Sequence, residues 1–295
     1  MRDDVSVVVV TYDALPWLDR CLDSVRGYET IVVDHGSTDG TVELVRERYP
    51  DVRLVEQANL GFGAGNNAGM RLARGRYWLL LNADAWVVGD AVERLVAVAD
   101  AHPNAAVLGP RLRNPDGSLQ RSVRAEPTLW RLATEYLFIR KLGPRTNLLN
   151  PLYVGAFDHR RERESDWLSA AALFVRREAA DAVGLFDESF FMFSEEVDWL
   201  TRFRRAGWSV LFTPEAEVVH VGGASHGGRL YVENLRGQIR FFDKHRGRRQ
   251  AERLRRLLLW SLRLRTLAFR GARGEPYREG VRFLASGDVG TLLTR

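Results

Sequence analysis

From Val5 to Val10 the chain is apolar and branched at every position but Ser6, which predicts a strand buried on both faces. Leu15, Leu18, Cys21, Leu22 and Val25 then recur at helical spacing. A second strand over Thr30–Asp34, a turn at His35-Gly36-Ser37 and a helix from about Asp39 to Tyr49 follow. Val52–Val55 reads as a third strand. The glycine-rich stretch Gly61–Gly69 leads into a helix ending near Arg74-Gly75, and Tyr77–Leu81 is a fourth strand. Strands alternating with helices predict right-handed crossovers and a parallel sheet. Ligands of such sheets bind at the carboxyl ends of the strands. Three polar clusters fall at those ends: Thr11-Tyr12, Asp34 to Ser37, and Asn82-Ala83-Asp84.

Beyond Arg111 the pattern weakens. Asn114-Pro-Asp-Gly117 is a turn signal between short extended pieces. Residues 140–165 carry Pro, Gly and scattered charge without periodicity and read as a mobile loop region. Order returns with Trp167–Val175, helices over about Arg177–Val183 and Glu195–Arg205, and strands at Trp208–Phe212 and Glu217–Val221.

The 295 residues, 45% hydrophobic and 27% charged, exclude a disordered tail, a collagen-like repeat and a small disulfide scaffold. One cysteine, Cys21, can form neither an internal disulfide nor a Cys-rich zinc site, so a cytosolic location is the expectation. No signal peptide is read at the start, and no apolar run reaches the roughly 18–20 residues that cross a bilayer. The net charge of +5 is uneven: residues 226–295 hold 17 basic and 6 acidic side chains, against 26 and 32 before them. That basic end points to an anionic partner.

Several residues suit chemistry. Gly63-Ala-Gly65-Asn-Asn-Ala68 satisfies a dinucleotide fingerprint but follows the third strand instead of the first. Either its glycines pack a helix on the sheet, or they admit a nucleotide sugar with Asn66 and Asn67 as polar contacts. Asp84, just past the fourth strand, is either a turn residue or a ligand for a divalent ion on a diphosphate, where one or two carboxylates suffice. His220, at a strand end before Val221-Gly222-Gly223, is either structural or a second ligand. Glu195, Glu196 and Asp198 follow the aromatic run Phe190–Phe193. They make either an acidic first helical turn or partly desolvated carboxylates strengthened as bases.

Eight segments in order, between Val5 and Trp208, resemble the motifs of family 2 glycosyltransferases. They are Val5–Tyr12, Val32–Gly40, Asn59–Gly69, Leu79–Asp84, Trp167–Ala170, Gly184–Glu188, Phe190–Asp198 and Arg205–Trp208. The subgroup is the rhamnosyltransferase-like branch, which works on lipid-linked cell-wall and O-antigen intermediates. The resemblance implies an α/β GT-A fold, a Rossmann-like nucleotide-binding sheet merged with an acceptor-binding part, over residues 1–225. A basic helical segment at 226–295 would follow. It implies that Thr11 and Tyr12 line the base of a dTDP- or UDP-sugar and that Asp34 accepts from its N3–H. Asp84, with Asn82 and His220 nearby, would hold Mg²⁺ or Mn²⁺. Glu196, with Glu195 and Asp198 as substitutes, would be the base of an inverting transfer. Trp167 and Ser169 would lie on the acceptor side, and Arg236 beside the donor diphosphate. The chain departs from the family pattern at His35, Asn82, Ala170 and Glu196, where Asn, Asp, Gly and Asp are usual.

The basic end predicts a helix over Arg229–Lys244 and another across Arg253–Arg270, whose arginines, leucines, Trp260 and Phe269 suit an anionic membrane interface. Packing on the body with a solvated arginine face is the alternative. The expectation is therefore an enzyme peripheral on the inner face of the plasma membrane, with a lipid-linked or glycan acceptor and no nucleic-acid partner. Two rivals are an inactive sugar-nucleotide-binding or membrane-scaffold relative and a nucleotidyltransferase. The latter would need a glycine-rich basic loop where Thr11-Tyr12-Asp13 stands.

Overall fold

The computed structural model describes residues 4–222, 228–269 and 271–294. Gly223 of the strand-end glycine pair and the side chain of Arg229 lie outside the described residues. The chain divides into two compact units. The first comprises Met1–Arg124, Asp158–Glu188 and Asp198–Gly222; the second comprises Ala125–Phe157, Ser189–Val197 and Gly223–Arg295.

Among the described residues the first unit is built on a ten-stranded sheet beside a two-stranded one. Its elements begin β1 (Val5–Thr11), α1 (Leu15–Ser24), β2 (Glu29–Asp34), α2 (Thr41–Arg48), β3 (Arg53–Glu56), α3 (Phe62–Met70) and β4 (Tyr77–Asn82). Next come β5 (Ala85–Val87), α4 (Ala91–Ala101), β6 (Ala105–Arg113), β7 (Leu119–Gln120) and β8 (Val123–Arg124). The strand order is β3-β2-β1-β4, and these four run parallel. The register aligns Thr11 with Asp34 and Val10 with Asn82, so three polar groups share the carboxyl edge.

Beyond these four strands the sheet is mixed. After helix α5 (Leu129–Tyr136) of the second unit come β9 (Arg163–Glu164), β10 (Trp167–Leu168) and β11 (Ala172–Arg176). Strand β11 inserts antiparallel between β4 and β6. Helices α6 (Arg177–Val183) and α7 (Glu195–Arg205) lead to β12 (Ser209–His220), which is parallel to β6 and antiparallel to β5. The two strands expected at 208–212 and 217–221 are one long strand with an irregularity between Phe212 and Glu217. Short apolar runs do not announce such a bulge, nor the three-residue β5.

Burial explains the first strand. Val5, Val7 and Val9 join Leu18, Cys21 and Leu22 of α1 in the core, while Val8 turns the other way. Each fully buried valine contributes about 1.5–3 kcal/mol. On the opposite face α3 comes very close: a Cβ at Gly69 would lie 2.4 Å from Val8 Cγ1, and one at Gly65 would lie 2.6 Å from His35 Nε2. The glycines of the fingerprint-like segment are thus used for helix-on-sheet packing.

In the second unit, α8 (Gly228–Arg246), α9 (Arg248–Ala268), α10 (Glu275–Ala285) and α11 (Val289–Thr294) pack with one another and with α5. Leu254, Leu258 and Leu262 of α9 are buried. Its exposed stripe carries Arg249, Arg253, Arg256, Trp260, Arg263, Leu264 and Leu267. The leucine face that suggested an interfacial helix is mostly spent inside the unit. What remains outside is arginine with three large apolar side chains.

Candidate active site

Two loops are stitched together at the carboxyl edge. Asp34 is buried; its Oδ1 accepts from the N–H groups of Gly36 and Ser37, both at 2.9 Å, and its Oδ2 from the Ser37 hydroxyl. Asp13 Oδ1 accepts from Thr38 N–H at 2.8 Å, and Asp39 Oδ2 from Leu15 N–H at 2.9 Å. These bonds fix the backbone around Tyr12, whose ring is 58% exposed. Thr11 is buried, and its hydroxyl oxygen has no hydrogen-bond partner in the structure. His35 packs under α3 with Nε2 3.2 Å from Gln57 Nε2. Burial holds its imidazole below the ordinary histidine value, against the opposing pull of Asp34.

The β5–β12 pairing sets His220 opposite Ala85 and so brings the imidazole to Asp84. His220 Nε2 lies 3.2 Å from Asp84 Oδ1 and 3.3 Å from Asn82 Nδ2. Gly222 N–H donates to Asp84 Oδ2 at 3.0 Å. Burial pushes the Asp84 carboxyl up, but the His220 ring and the Gly222 N–H outweigh it and hold the group below the usual carboxylate value.

On its other side His220 Nδ1 meets Gln120 Oε1 at 2.7 Å. The Gln120 amide nitrogen donates to Asn114 Oδ1 at 2.9 Å and to His220 O at 3.3 Å, which fixes the oxygen toward the ring. Nδ1 must therefore carry a proton, and Nε2 faces Asp84 either as a donor to Oδ1, when both ring nitrogens are protonated, or as a lone pair that a cation can take up. Two acceptors 3.2 Å apart need a proton or a cation between them. Beside them Asn82 turns its Nδ2 to the ring, and its Oδ1 is buried without a hydrogen-bond partner.

The other first-unit candidates divide. Asn67 is committed internally: its Nδ2 donates to Phe186 O at 3.0 Å and Glu188 Oε1 at 2.9 Å, and its Oδ1 accepts from Phe186 N–H. Asn66 Nδ2 donates to Phe62 O within α3. Trp167 and Ser169 lead toward Ala171, whose carbonyl accepts from Asn82 N–H at 3.0 Å, so that segment reaches the edge beside Asn82. Asp198 is fully buried, with Arg202 Nε at 3.0 Å; that guanidinium also donates to Val183 O and Leu185 O. The pair locks α7 to the 183–185 segment.

In the second unit Glu195 is buried and its Oε2 has no hydrogen-bond partner. Burial, reinforced by neighbouring Glu196, raises its carboxyl well above the ordinary value. Glu196 is half-buried. Phe193 and Ser194 before them both have left-handed backbone, with φ of +70° and +72°. For side chains of this kind each such residue costs about 1–3 kcal/mol. Arg236 pairs with Glu233 and lies over the Phe283 ring at 5.0 Å. It lines a cleft of about 170 Å³ with Phe190, Met192, Gly237 and Arg240.

The sequence model of glycosyl transferase family 2 matches residues 6–157. The N-acetylglucosaminyl-diphospho-decaprenol L-rhamnosyltransferase of Mycobacterium tuberculosis is 36% identical over 288 residues, covering 89% of this chain and 90% of the relative. The chain belongs to glycosyltransferase family 2. Its similarity runs to the rhamnosyltransferase-like branch. Two solved structures share the GT-A fold of this glycosyltransferase. The mannosyltransferase PcManGT from Pyrobaculum calidifontis, solved with GDP-Man and Mn²⁺, has a TM-score of 0.57 at 18% identity and covers 99% of this chain and 85% of its own. GalNAc-T7, solved with UDP, GalNAc and Mn²⁺, has a TM-score of 0.58 at 15% identity over 99% of this chain and 56% of its own.

For this glycosyltransferase the Asp84–His220 corner fits a divalent cation on its own chemistry: a carboxylate oxygen and an imidazole nitrogen lie 3.2 Å apart. Among the described residues no three His, Cys, Asp or Glu side chains are placed to hold a metal by themselves. Two protein ligands suit an ion whose other positions are filled by phosphate oxygens and water. Sequence reasoning missed Gln120, which sets the tautomer of His220. Only the pairing of β7 beside β6 brings it there, and no local pattern marks it.

Proposed function

We propose that this glycosyltransferase moves rhamnose from a dTDP- or UDP-linked donor to a hydroxyl of an N-acetylglucosaminyl-diphospho-polyprenol, with inversion at the anomeric carbon. The observation that carries the reading is the Asp84–His220 contact, a carboxylate and an imidazole nitrogen meeting at the carboxyl edge of the sheet, where one cation can replace the proton between them. The sugar and the acceptor class rest on similarity to the mycobacterial enzyme along nearly the whole chain.

Asp84 and His220 would hold the Mg²⁺ or Mn²⁺ ion, which would supply positive charge to neutralise the departing diphosphate. Tyr12 offers its exposed ring to the face of the pyrimidine, and the buried Thr11 hydroxyl has hydrogen-bonding capacity to spare. Glu196 takes the proton of the acceptor hydroxyl as that oxygen bonds to the anomeric carbon and the bond from that carbon to the diphosphate breaks. Burial and the neighbouring Glu196 shift the Glu195 carboxyl toward its neutral form, which lowers the negative charge beside the base. The exposed arginine–tryptophan stripe of α9 supports a place on the anionic inner face of the plasma membrane, where a lipid-linked acceptor resides.

The test is direct. Purified protein is incubated with dTDP-L-rhamnose, or with UDP-sugars, and synthetic N-acetylglucosaminyl-diphospho-polyprenol, with Mn²⁺ or with EDTA. A product heavier by one deoxyhexose, of inverted configuration by NMR and absent with EDTA, is expected. Transfer that persists in EDTA removes the cation from the reading, and lack of product from the dTDP-sugar removes rhamnose.

A further inference from the structure

Helix α8 approaches the segment before Glu195 more closely than any side chain allows. A Cβ on Gly237 would lie 2.3 Å from the carbonyl oxygen of Phe193 and 3.2 Å from Ser194 Oγ. Real Cβ atoms do not come that near a backbone oxygen, and a backbone atom cannot swing aside as a side-chain tip does. The carbonyl belongs to the first of two consecutive non-glycine residues in left-handed conformation, φ +70° and +72°. Such residues persist only where the surroundings over-determine them. Ser194 is buried, so the turn is clamped as well as strained. Immediately after it α7 begins with Glu195 and Glu196.

From this geometry we propose that Gly237 is a positioning residue for the transfer: contact between its bare backbone and the Phe193–Ser194 turn sets the direction of the Glu195–Glu196 carboxyls. The idea rests on the base assignment above. Any side chain at 237 displaces the turn, and the helix start moves with it. A general base must meet its proton at hydrogen-bond distance, so a displacement of about 1 Å reduces the rate steeply while donor binding is untouched. The same displacement changes the burial of Glu195 and its separation from Glu196. The pH dependence of turnover therefore moves too.

The experiment measures kcat, donor KM and the pH profile of kcat for wild type, Gly237→Ala, Ser194→Gly and the double variant. The substrates are dTDP-L-rhamnose and N-acetylglucosaminyl-diphospho-polyprenol. Gly237→Ala is expected to lower kcat by about 10- to 100-fold, leave donor KM within about twofold, and displace the acid limb of the profile. The double variant should recover part of the loss, because glycine at 194 lets the turn yield without strain. A folded Gly237→Ala enzyme with wild-type kcat and pH profile overturns the proposal, as does a loss of kcat with an unmoved profile and no recovery in the double variant. If Gly237→Ala does not fold, the double variant is compared with Ser194→Gly; failure of both 237 variants to fold makes Gly237 a folding residue only and also overturns it. Full activity of Glu196→Gln and Glu195→Gln in the same assay would instead sink the base assignment.

Discussion

His220 Nε2 stands 3.2 Å from Asp84 Oδ1, placed there by the antiparallel register of β12 against β5. Gln120 holds a proton on Nδ1, so Nε2 and the carboxylate meet across a position that a proton or a cation fills. We expect Asp84→Ala to abolish transfer and to weaken donor binding mainly when Mn²⁺ or Mg²⁺ is present. Thermal shift by UDP or dTDP, with and without metal, checks this. Turnover that survives with its metal dependence intact would take Asp84 out of the site.

Gln120→Leu tests the orientation of the histidine. Loss of the Oε1 acceptor frees the ring to turn and to change tautomer. Groups that orient a metal-binding histidine are usually worth about 10- to 100-fold in metal affinity. Titration with Mn²⁺ should show a loss of that size, with a near-normal melting temperature because Gln120 lies on a two-residue edge strand. Unchanged affinity would mean that His220 does not bind the ion.

Glu196→Gln should reduce turnover by about 10²- to 10⁴-fold, the usual weight of a general base, while donor affinity barely changes. Glu195→Gln should cost much less, since burial already shifts that carboxyl toward its neutral form. A crippled Glu195→Gln enzyme beside an active Glu196→Gln enzyme would exchange the two roles.

Glu195 also makes stability depend on pH. Its folded-state value is raised, so its stabilising contribution is complete below the unfolded value near 4.3. The contribution is lost as pH rises toward the folded value, because the unfolded chain releases the proton first. Melting temperatures between pH 4.5 and pH 8 should therefore fall less for Glu195→Gln than for wild type. Parallel curves would show that the carboxyl is not held protonated.

Gly69→Ala sets a Cβ 2.4 Å from Val8 Cγ1, beneath α3. Overpacking of this kind costs about 1–3 kcal/mol, partly offset by the better helix propensity of alanine, up to about 1 kcal/mol. A lower melting temperature is expected, restored in part by Val8→Ala, which opens the space. If the second change only adds to the loss, the contact is not the cause.

The exposed stripe of α9 can be tested by charge reversal. Each arginine near an anionic surface is worth about 1 kcal/mol, so Arg253→Glu, Arg256→Glu and Arg263→Glu together should weaken binding to phosphatidylglycerol vesicles by at least about 100-fold. Wild-type binding should weaken with salt, and Trp260→Ala should reduce it further. Salt-insensitive binding would point to an apolar partner.

Much was legible in one dimension. The run Val5–Val10, the helical spacing of Leu18, Cys21 and Leu22, and the boundaries of α6 and α7 follow from local periodicity, because a strand buried on both faces and a one-sided helix leave different repeats. The motifs were equally legible, since each lies within one loop or helix start: Asp34 to Ser37 closes on itself through hydrogen bonds spanning at most three residues. Three things only the tertiary structure decided. The antiparallel insertion of β11 depends on pairing partners far away in the chain, which no local period records. The same is true of Gln120, unremarkable in its own segment and brought to His220 only by the pairing of β7 with β6. The glycines at 65, 69 and 237 carry no side chain whose pattern could be read in the sequence. The distance to a neighbouring backbone or side chain, set by how helices lie on their supports, is what gives each its work.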